Sequence, residues 1–152
     1  MIKKDTKVAV LGAGAMGCLF GGLLAEKGLE VVLIDVWQEH VDEINKKGLK
    51  MMGHGGDRIV KIKATTEPKK LGKYDAIIIM CKATALENAL SNAKNIIGDN
   101  TLLMSFQNGI GHEEIMQNIA GKEKVLGGST TQASSIQGLS LIHISEPTRH
   151  AS

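Results

Sequence analysis

The chain has 152 residues, 43% of them hydrophobic, which is enough for one packed core and too little for two full domains. Its 18 Lys and Arg against 16 Asp and Glu leave a formal charge of +2 with the signs interspersed, and aromatic residues make up only 3%. Neither the basic stripe nor the stacking platform of a nucleic-acid binder is present. Cys18 and Cys81 have no ligand spacing between them, and His40, His54, His112, His143 and His150 form no H-x-x-x-H pair, so the reading expects buried thiols, a reducing, cytoplasmic compartment and no metal site.

Val8 to Leu11 is a short continuous apolar run, as expected of a central parallel strand covered on both faces. The run Gly12-Ala13-Gly14-Ala15-Met16-Gly17 follows at once, and from Ala15 the apolar residues Met16, Leu19, Phe20, Leu23 and Leu24 recur at helical spacing up to Gly28. Lys3 and Lys4 followed by the uncharged stretch Val8–Ala25 superficially resemble a signal peptide or membrane span. A second apolar strand, Val31 to Ile34, and Asp35 come directly afterwards, so strand, glycine turn and helix account for the whole stretch and no membrane partner is expected.

Trp37, Val41 and Ile44 repeat at i, i+4 and i+7 before Gly48, which predicts a second amphipathic helix. Leu49–Met52 and Ile59–Lys63 flank the turn-rich segment Gly53–Asp57, a hairpin or an elaborated third strand. Ala76–Met80, the most hydrophobic run, predicts a central strand, Leu86 to Ile97 a helix, Gly98–Asn100 a turn and Leu102–Phe106 a strand. Ile110–Ala120 predicts another helix and Val125–Gly127 another strand. Such alternation predicts an α/β, Rossmann-type doubly wound, mostly parallel sheet with helices on both faces. After Gly138 no helix or strand period extends the pattern, so residues 1–138 are expected to form the domain. Residues 139–152 are expected to be a tail foreign to it, such as a frameshift, assembly junction or read-through would leave.

A glycine pattern of this kind is weak alone and strong between a strand and a helix. Gly12 allows a tight turn off the first strand, Gly14 lets the backbone approach a pyrophosphate, and Gly17 permits close packing of the helix. The helix starting near Ala15 directs free N–H groups and its positive dipole end at the phosphates, an effect of roughly 0.3–2 kcal/mol. Asp35 stands eighteen residues beyond Gly17 at the end of the second strand, where a carboxylate accepts hydrogen bonds from adenosine ribose hydroxyls. A 2′-phosphate there would meet repulsion of about 4 kcal/mol per unit charge at roughly 4 Å and an effective dielectric near 20. Val36 and Trp37 follow instead of Arg or Lys, so NAD is favoured over NADP. A helix cap is the structural alternative for Asp35. Lys82 and Asn108 each follow a predicted strand and so fall at the carboxyl edge of the sheet, where open α/β sheets bind ligands.

The ordered set VAVLGAGAMG, MCKATALENAL, SFQNGIG and GGSTTQAS resembles the N-terminal domain of the ketopantoate reductases (2-dehydropantoate 2-reductases) from Lys7 to about Gly138. The resemblance implies a cofactor site made of Gly12, Ala13, Gly14, Ala15, Met16 and Gly17 around the pyrophosphate, with Asp35, Lys82, Asn108 and the backbone around Ser134 contacting the remainder. Many members carry a basic residue after the second strand for NADPH, and Asp35 with Val36 departs from that. It further implies hydride transfer from NAD(P)H to the ketone of 2-dehydropantoate, on the route to coenzyme A. In that family the proton-donor lysine, its glutamate partner and most substrate contacts come from a second, helical domain. The chain therefore reads as a truncated member that holds the cofactor, with no catalytic residue assigned to it.

Two other readings compete. The substrate could be another 2-oxo or 2-hydroxy acid, since fold and glycine loop do not choose it. Alternatively the chain is a non-catalytic dinucleotide-sensing module, for which a ligand-responsive homodimer or an activity-restoring partner chain would be the mark.

Overall fold

The computed structural model of the chain describes residues 5–106, 112–127 and 134–145. The apolar run after Lys7 forms β1 (Lys7–Leu11), the glycine turn leads into α1 (Ala15–Glu26), and β2 (Glu30–Ile34) returns parallel to β1. The helix α2 (Gln38–Lys47) buries Val41 and Ile44 and ends at Gly48, whose φ of 82° lies in the left-handed region.

Two strands then leave the parallel sheet. β3 (Leu49–Gly53) and β4 (Arg58–Val60) pair antiparallel, as the hairpin reading expected, but within a separate sheet. The segment Ile59–Lys63, read as one strand, is divided between two sheets. Ile59 and Val60 belong to β4, while Lys63 opens β5 (Lys63–Thr65), which pairs parallel with β2. A three-residue strand is too short to show a period, so β5 was not visible in the pattern.

β6 (Tyr74–Ile79) lies beside β1, followed by α3 (Ala83–Asn92). The predicted helix to Ile97 stops earlier, because Lys94–Ile96 tighten into a 3-10 turn and Ile97 already begins β7 (Ile97–Ser105). The expected turn at Gly98–Asn100 is an irregularity inside β7. Tyr74 is opposite Ile97 and Ala76 opposite Leu102, and the Thr101 hydroxyl closes the excursion by accepting the Gly98 N–H at 2.7 Å and donating to the Tyr74 carbonyl at 2.6 Å. The described chain continues with α4 (His112–Ala120) and β8 (Val125–Gly127).

The main sheet has six parallel strands in the order β5-β2-β1-β6-β7-β8. Alternate residues of its strands feed two apolar layers. Val8, Val10, Val31 and Leu33 pack with Leu19 of α1 and Val41 and Ile44 of α2, while Ala9, Leu11, Ile77 and Ile79 pack with Leu86 and Leu90 of α3 and Met116 of α4. Helices therefore cover both faces, as expected of a doubly wound sheet.

Residues 139–144 depart from the sequence reading. β9 (Ser134–Gly138) and β10 (Leu141–Ile144) form an antiparallel hairpin, and β10 pairs parallel with β3 to complete a four-stranded second sheet, β4-β3-β10-β9. Ile142 is 0% and Ile144 3% exposed while His143 points outward, a period-2 alternation confined to four residues. The boundary expected at Gly138 thus does not hold for Leu141–Ile144, which share the core of the domain.

α1 runs between the two sheets, and its sequence explains how. A Cβ on Gly21 would lie 2.5 Å from Leu33 Cδ2 of the main sheet, and one on Gly22 would lie 2.6 Å from Met51 Sδ of the second. Adjacent glycines remove the bulk from two sides of one helix so that both layers close on it.

Candidate active site

The carboxyl ends of four neighbouring strands meet at one place. The Gly12 N–H donates to the Ile34 carbonyl at 2.8 Å, Met80 N–H to Leu11 at 2.8 Å and Asp35 N–H to Thr65 at 3.1 Å, so the exits of β1, β2, β5 and β6 are held together. Chain order reverses between β1 and β6, because the strands following β1 build outward on one side and those from β6 on the other. A crevice opens at such a switch point. Here it is a cleft of about 740 Å³.

Gly12, Gly14, Asp35 and Lys82, four residues singled out in the sequence, line this cleft together. Gly12 has φ 109°, and a Cβ there would stand 2.7 Å from Cys81 N and 2.9 Å from Met80 C, so both the turn and the end of β6 require glycine. Gly17 is needed for a close approach, since its Cβ would run into the Gly12 carbonyl oxygen. Its neighbour is therefore chiefly the loop itself and only secondarily β1, through Val10 Cγ1 at 3.4 Å. Gly14 is different. No described residue lies within 4 Å of where its Cβ would project, so among the described residues the space in front of it is open. Gly14 is also the residue preceding α1 and makes no side-chain capping bond, so the N-terminal end of α1, whose dipole favours an anion, begins at the cleft. Ala15 and Met16 form the start of that first turn, and Ala13 is buried beneath it.

Asp35 does two things at once. Its Oδ2 accepts the Ala13 N–H at 2.6 Å and its Oδ1 accepts the Trp37 N–H at 3.0 Å. Trp37, not Asp35, is the residue that caps α2, so the Asp35 carboxylate ties down the turn just before the helix and the cap expected as its structural alternative lies two residues further on. An ionised carboxylate offers about four lone-pair sites. Two are used by these backbone groups, and capacity remains for hydroxyl donors in the cleft.

Lys82 stands just before α3 and is exposed at the cleft wall, beside Cys81. Burial pushes the Cys81 thiol up to about 11, with the Asp35 charge adding to the rise and a backbone hydrogen bond opposing it. Cys18, buried in α1, is pushed up to about 12 by burial first and the Asp35 charge second. Asn108 lies outside the described residues. Ser134 opens β9 opposite Ile144 in the second sheet.

Two features escaped the sequence reading. The segment Thr66–Lys70 after β5 forms a wall of the cleft and brings Lys69 and Lys70 to it, with Lys70 Nζ 2.9 Å from Glu67 Oε2. His40 is fully buried under the glycine loop, its Nε2 2.9 Å from the Ala13 carbonyl oxygen and its ring stacked on Trp37 at 4.9 Å. A signal for it existed, since His40 falls on the i, i+3, i+4, i+7 stripe of Trp37, Val41 and Ile44.

Residues 8–150 match the family model described as ketopantoate reductase PanE/ApbA. Among curated relatives, the 2-dehydropantoate 2-reductase of Pyrococcus abyssi is 42% identical over 137 residues, covering 90% of this chain and 43% of that protein. The enzyme of the same name from Lactococcus lactis is 34% identical over 134 residues, covering 87% of this chain and 43% of its own length. Among solved structures, a D-mandelate dehydrogenase in ternary complex with NADH and anilino(oxo)acetate superposes with a TM-score of 0.88 at 33% identity, covering 93% of this chain and 46% of that one. A putative 2-dehydropantoate 2-reductase from Enterococcus faecalis gives 0.86 at 29% identity, with coverages of 93% and 46%. The chain thus spans less than half the length of the curated relatives it matches.

Proposed function

The chain belongs to the ketopantoate reductase family, and from that premise we propose that its cleft binds a nicotinamide dinucleotide. The observation that carries the proposal is the meeting of Gly12, Gly14, Asp35 and Lys82 at one switch-point cleft. In this reading the pyrophosphate lies over Gly12–Gly17 at the start of α1, and Asp35 takes the adenosine ribose hydroxyls with its remaining lone pairs. Lys82 contacts a ribose or phosphate, and by family resemblance Asn108 and the backbone around Ser134 complete the nicotinamide side. NAD is favoured over NADP because the Asp35 carboxylate opposes a 2′-phosphate.

Bound there, the cofactor supplies the hydride for reducing a 2-oxo acid, 2-dehydropantoate in the leading reading. The family resemblance assigns the proton donor and the substrate pocket to a helical domain beyond these residues. A polypeptide of these 152 residues is accordingly expected to bind cofactor without reducing ketopantoate. A second reading keeps the cofactor and changes the acid. It is favoured by the likeness to the D-mandelate dehydrogenase, whose ternary complex holds NADH and anilino(oxo)acetate.

Gly14→Val tests the site with little disturbance of the fold, because Gly14 has φ −73° and no described residue lies within 4 Å of the position its Cβ would take. Titration with NADH and NADPH, read by nicotinamide fluorescence, should give saturable binding for the parent chain and at least about tenfold weaker binding for the variant. Both proteins should melt within a few degrees of each other. No binding of either dinucleotide by the parent, or undiminished binding by the variant, rejects the assignment.

A further inference from the structure

The histidine that α2 buries against the glycine loop has a defined protonation pattern. His40 is 0% exposed, and its Nδ1 faces the Ser140 backbone N–H at 2.9 Å. A backbone N–H only donates, so Nδ1 is the accepting nitrogen. In the neutral ring the proton then sits on Nε2, which donates to the Ala13 carbonyl oxygen at 2.9 Å. The same oxygen takes the Cys18 thiol at 3.2 Å, while the Ala13 N–H goes to Asp35 Oδ2 at 2.6 Å. Both polar groups of Ala13 are tied to the protein, and neither is left for a ligand.

The consequence falls on the next residue. The peptide between Ala13 and Gly14 is trans, so its C=O and N–H point in opposite directions within the peptide plane. With the oxygen drawn onto the buried imidazole, the Gly14 N–H faces away from it, and Gly14 lines the open cleft. We infer that His40 is a positioning residue of the dinucleotide site, which aims the Gly14 N–H at the bound pyrophosphate by holding the Ala13 carbonyl inward. The inference rests on the dinucleotide reading of the cleft. It also makes His40 a bridge, since the side chain that orients the loop simultaneously holds the turn between β9 and β10.

The two nitrogens can be separated by substitution. The terminal amide nitrogen of Gln reaches about as far as Nε2 and donates, whereas the Asn oxygen reaches about as far as Nδ1 and accepts. His40→Gln therefore keeps the bond to Ala13, and His40→Asn keeps the bond to Ser140. NADH affinity and melting temperature are measured for the parent and both variants. The expected result is affinity within about threefold of the parent for His40→Gln and a loss of about tenfold for His40→Asn, although both melt at similarly lowered temperatures. Equal affinity losses in the two variants assign His40 to packing alone and overturn the inference.

Nitrogen-15 spectra of the ligand-free chain provide a second readout. An Nε2–H tautomer in the parent, with a Gly14 amide resonance that moves in His40→Asn and stays in His40→Gln, upholds the role. An Nδ1–H tautomer overturns it even where a variant fails to fold, and an unmoved Gly14 amide in His40→Asn does the same. Failure of the parent to bind either dinucleotide removes the functional reading, and the tautomer and the Gly14 amide then decide whether His40 orients the loop.

Discussion

Asp35→Asn is the most informative single change, because it removes a charge while keeping the shape. The carboxylate accepts one backbone N–H on each oxygen, Ala13 at 2.6 Å and Trp37 at 3.0 Å. An Asn side chain has one accepting oxygen, and its NH₂ group turned toward the other N–H would set donor against donor. At least one of the two bonds is therefore lost. Hydrogen bonds to charged groups contribute about 1.5–3 kcal/mol each. Trp37 is exposed and its N–H finds water, so keeping the Ala13 bond and releasing Trp37 limits the cost to about 1–2 kcal/mol. The effect on ligand choice is larger. Repulsion between the carboxylate and a 2′-phosphate is about 4 kcal/mol per unit charge at roughly 4 Å, and salt screening reduces this to about 1–2 kcal/mol. Asp35→Asn should then improve the NADPH affinity relative to NADH by about tenfold, more at low than at high salt. Parallel fluorescence titrations at two ionic strengths measure the ratio, and urea unfolding measures the stability. A ratio unmoved by the substitution would refute the repulsion argument, and a variant more stable than the parent would refute the hydrogen-bond accounting.

Gly17→Ala places a methyl group against the Gly12 carbonyl oxygen, which belongs to a strained and closely packed turn, so a loss of about 3 kcal/mol or more in urea unfolding is expected, together with loss of dinucleotide binding. Ile142→Ala removes a fully buried side chain from the second sheet and should cost about 2–4 kcal/mol by the same method, whereas a neutral outcome would detach β10 from the core. Burial raises the thiols of Cys18 to about 12 and Cys81 to about 11, above the ordinary 9.0, so both should remain protonated and react slowly with a disulfide reagent at pH 8 until the chain is unfolded in urea. Because these values rise on folding, the thiols' contribution to stability is complete below pH 9.0 and is lost as pH climbs toward 11 and 12, which chemical denaturation across that window would record as falling stability.

Most of the architecture was legible because its strands and helices are long enough to show a period. β1 and β6 were marked by unbroken aliphatic runs, and α1 and α2 by their apolar stripes. The meeting of Gly12, Gly14, Asp35 and Lys82 at one cleft was legible for a related reason, since each stands just after a recognisable strand, and ends of parallel strands converge. What escaped is short or local. β5 and β10 have three and four residues, and each owes its place to pairing with a strand far away in sequence. Such pairing is a tertiary fact that no local pattern announces. His40 was on the page as one more scattered histidine, although its position on the apolar stripe of α2 called for a buried hydrogen-bonding partner.

The missed β5 also changes the electrostatics of the corner of the cleft beside Asp35. Reading only along the chain, Asp35 followed by Val36 and Trp37 makes that corner negative and unreceptive to phosphate. In the fold, β5 lies beside β2, and the Thr66–Lys70 segment returns to the same cleft with two lysines. Lys70 is paired with Glu67, so part of that positive charge is already compensated. If the cleft holds a dinucleotide as proposed, its preference between NAD and NADP is expected to follow the balance between two elements, the carboxylate on β2's exit and the ammonium groups on β5's. Changing Lys69 to Gln in the Asp35→Asn background separates them. If the lysine contributes, the NADPH affinity gained by removing the carboxylate should fall back by about threefold to tenfold, with NADH affinity little altered. An unchanged ratio would leave Asp35 as the sole determinant and return the argument to the charge first read at the end of the second strand.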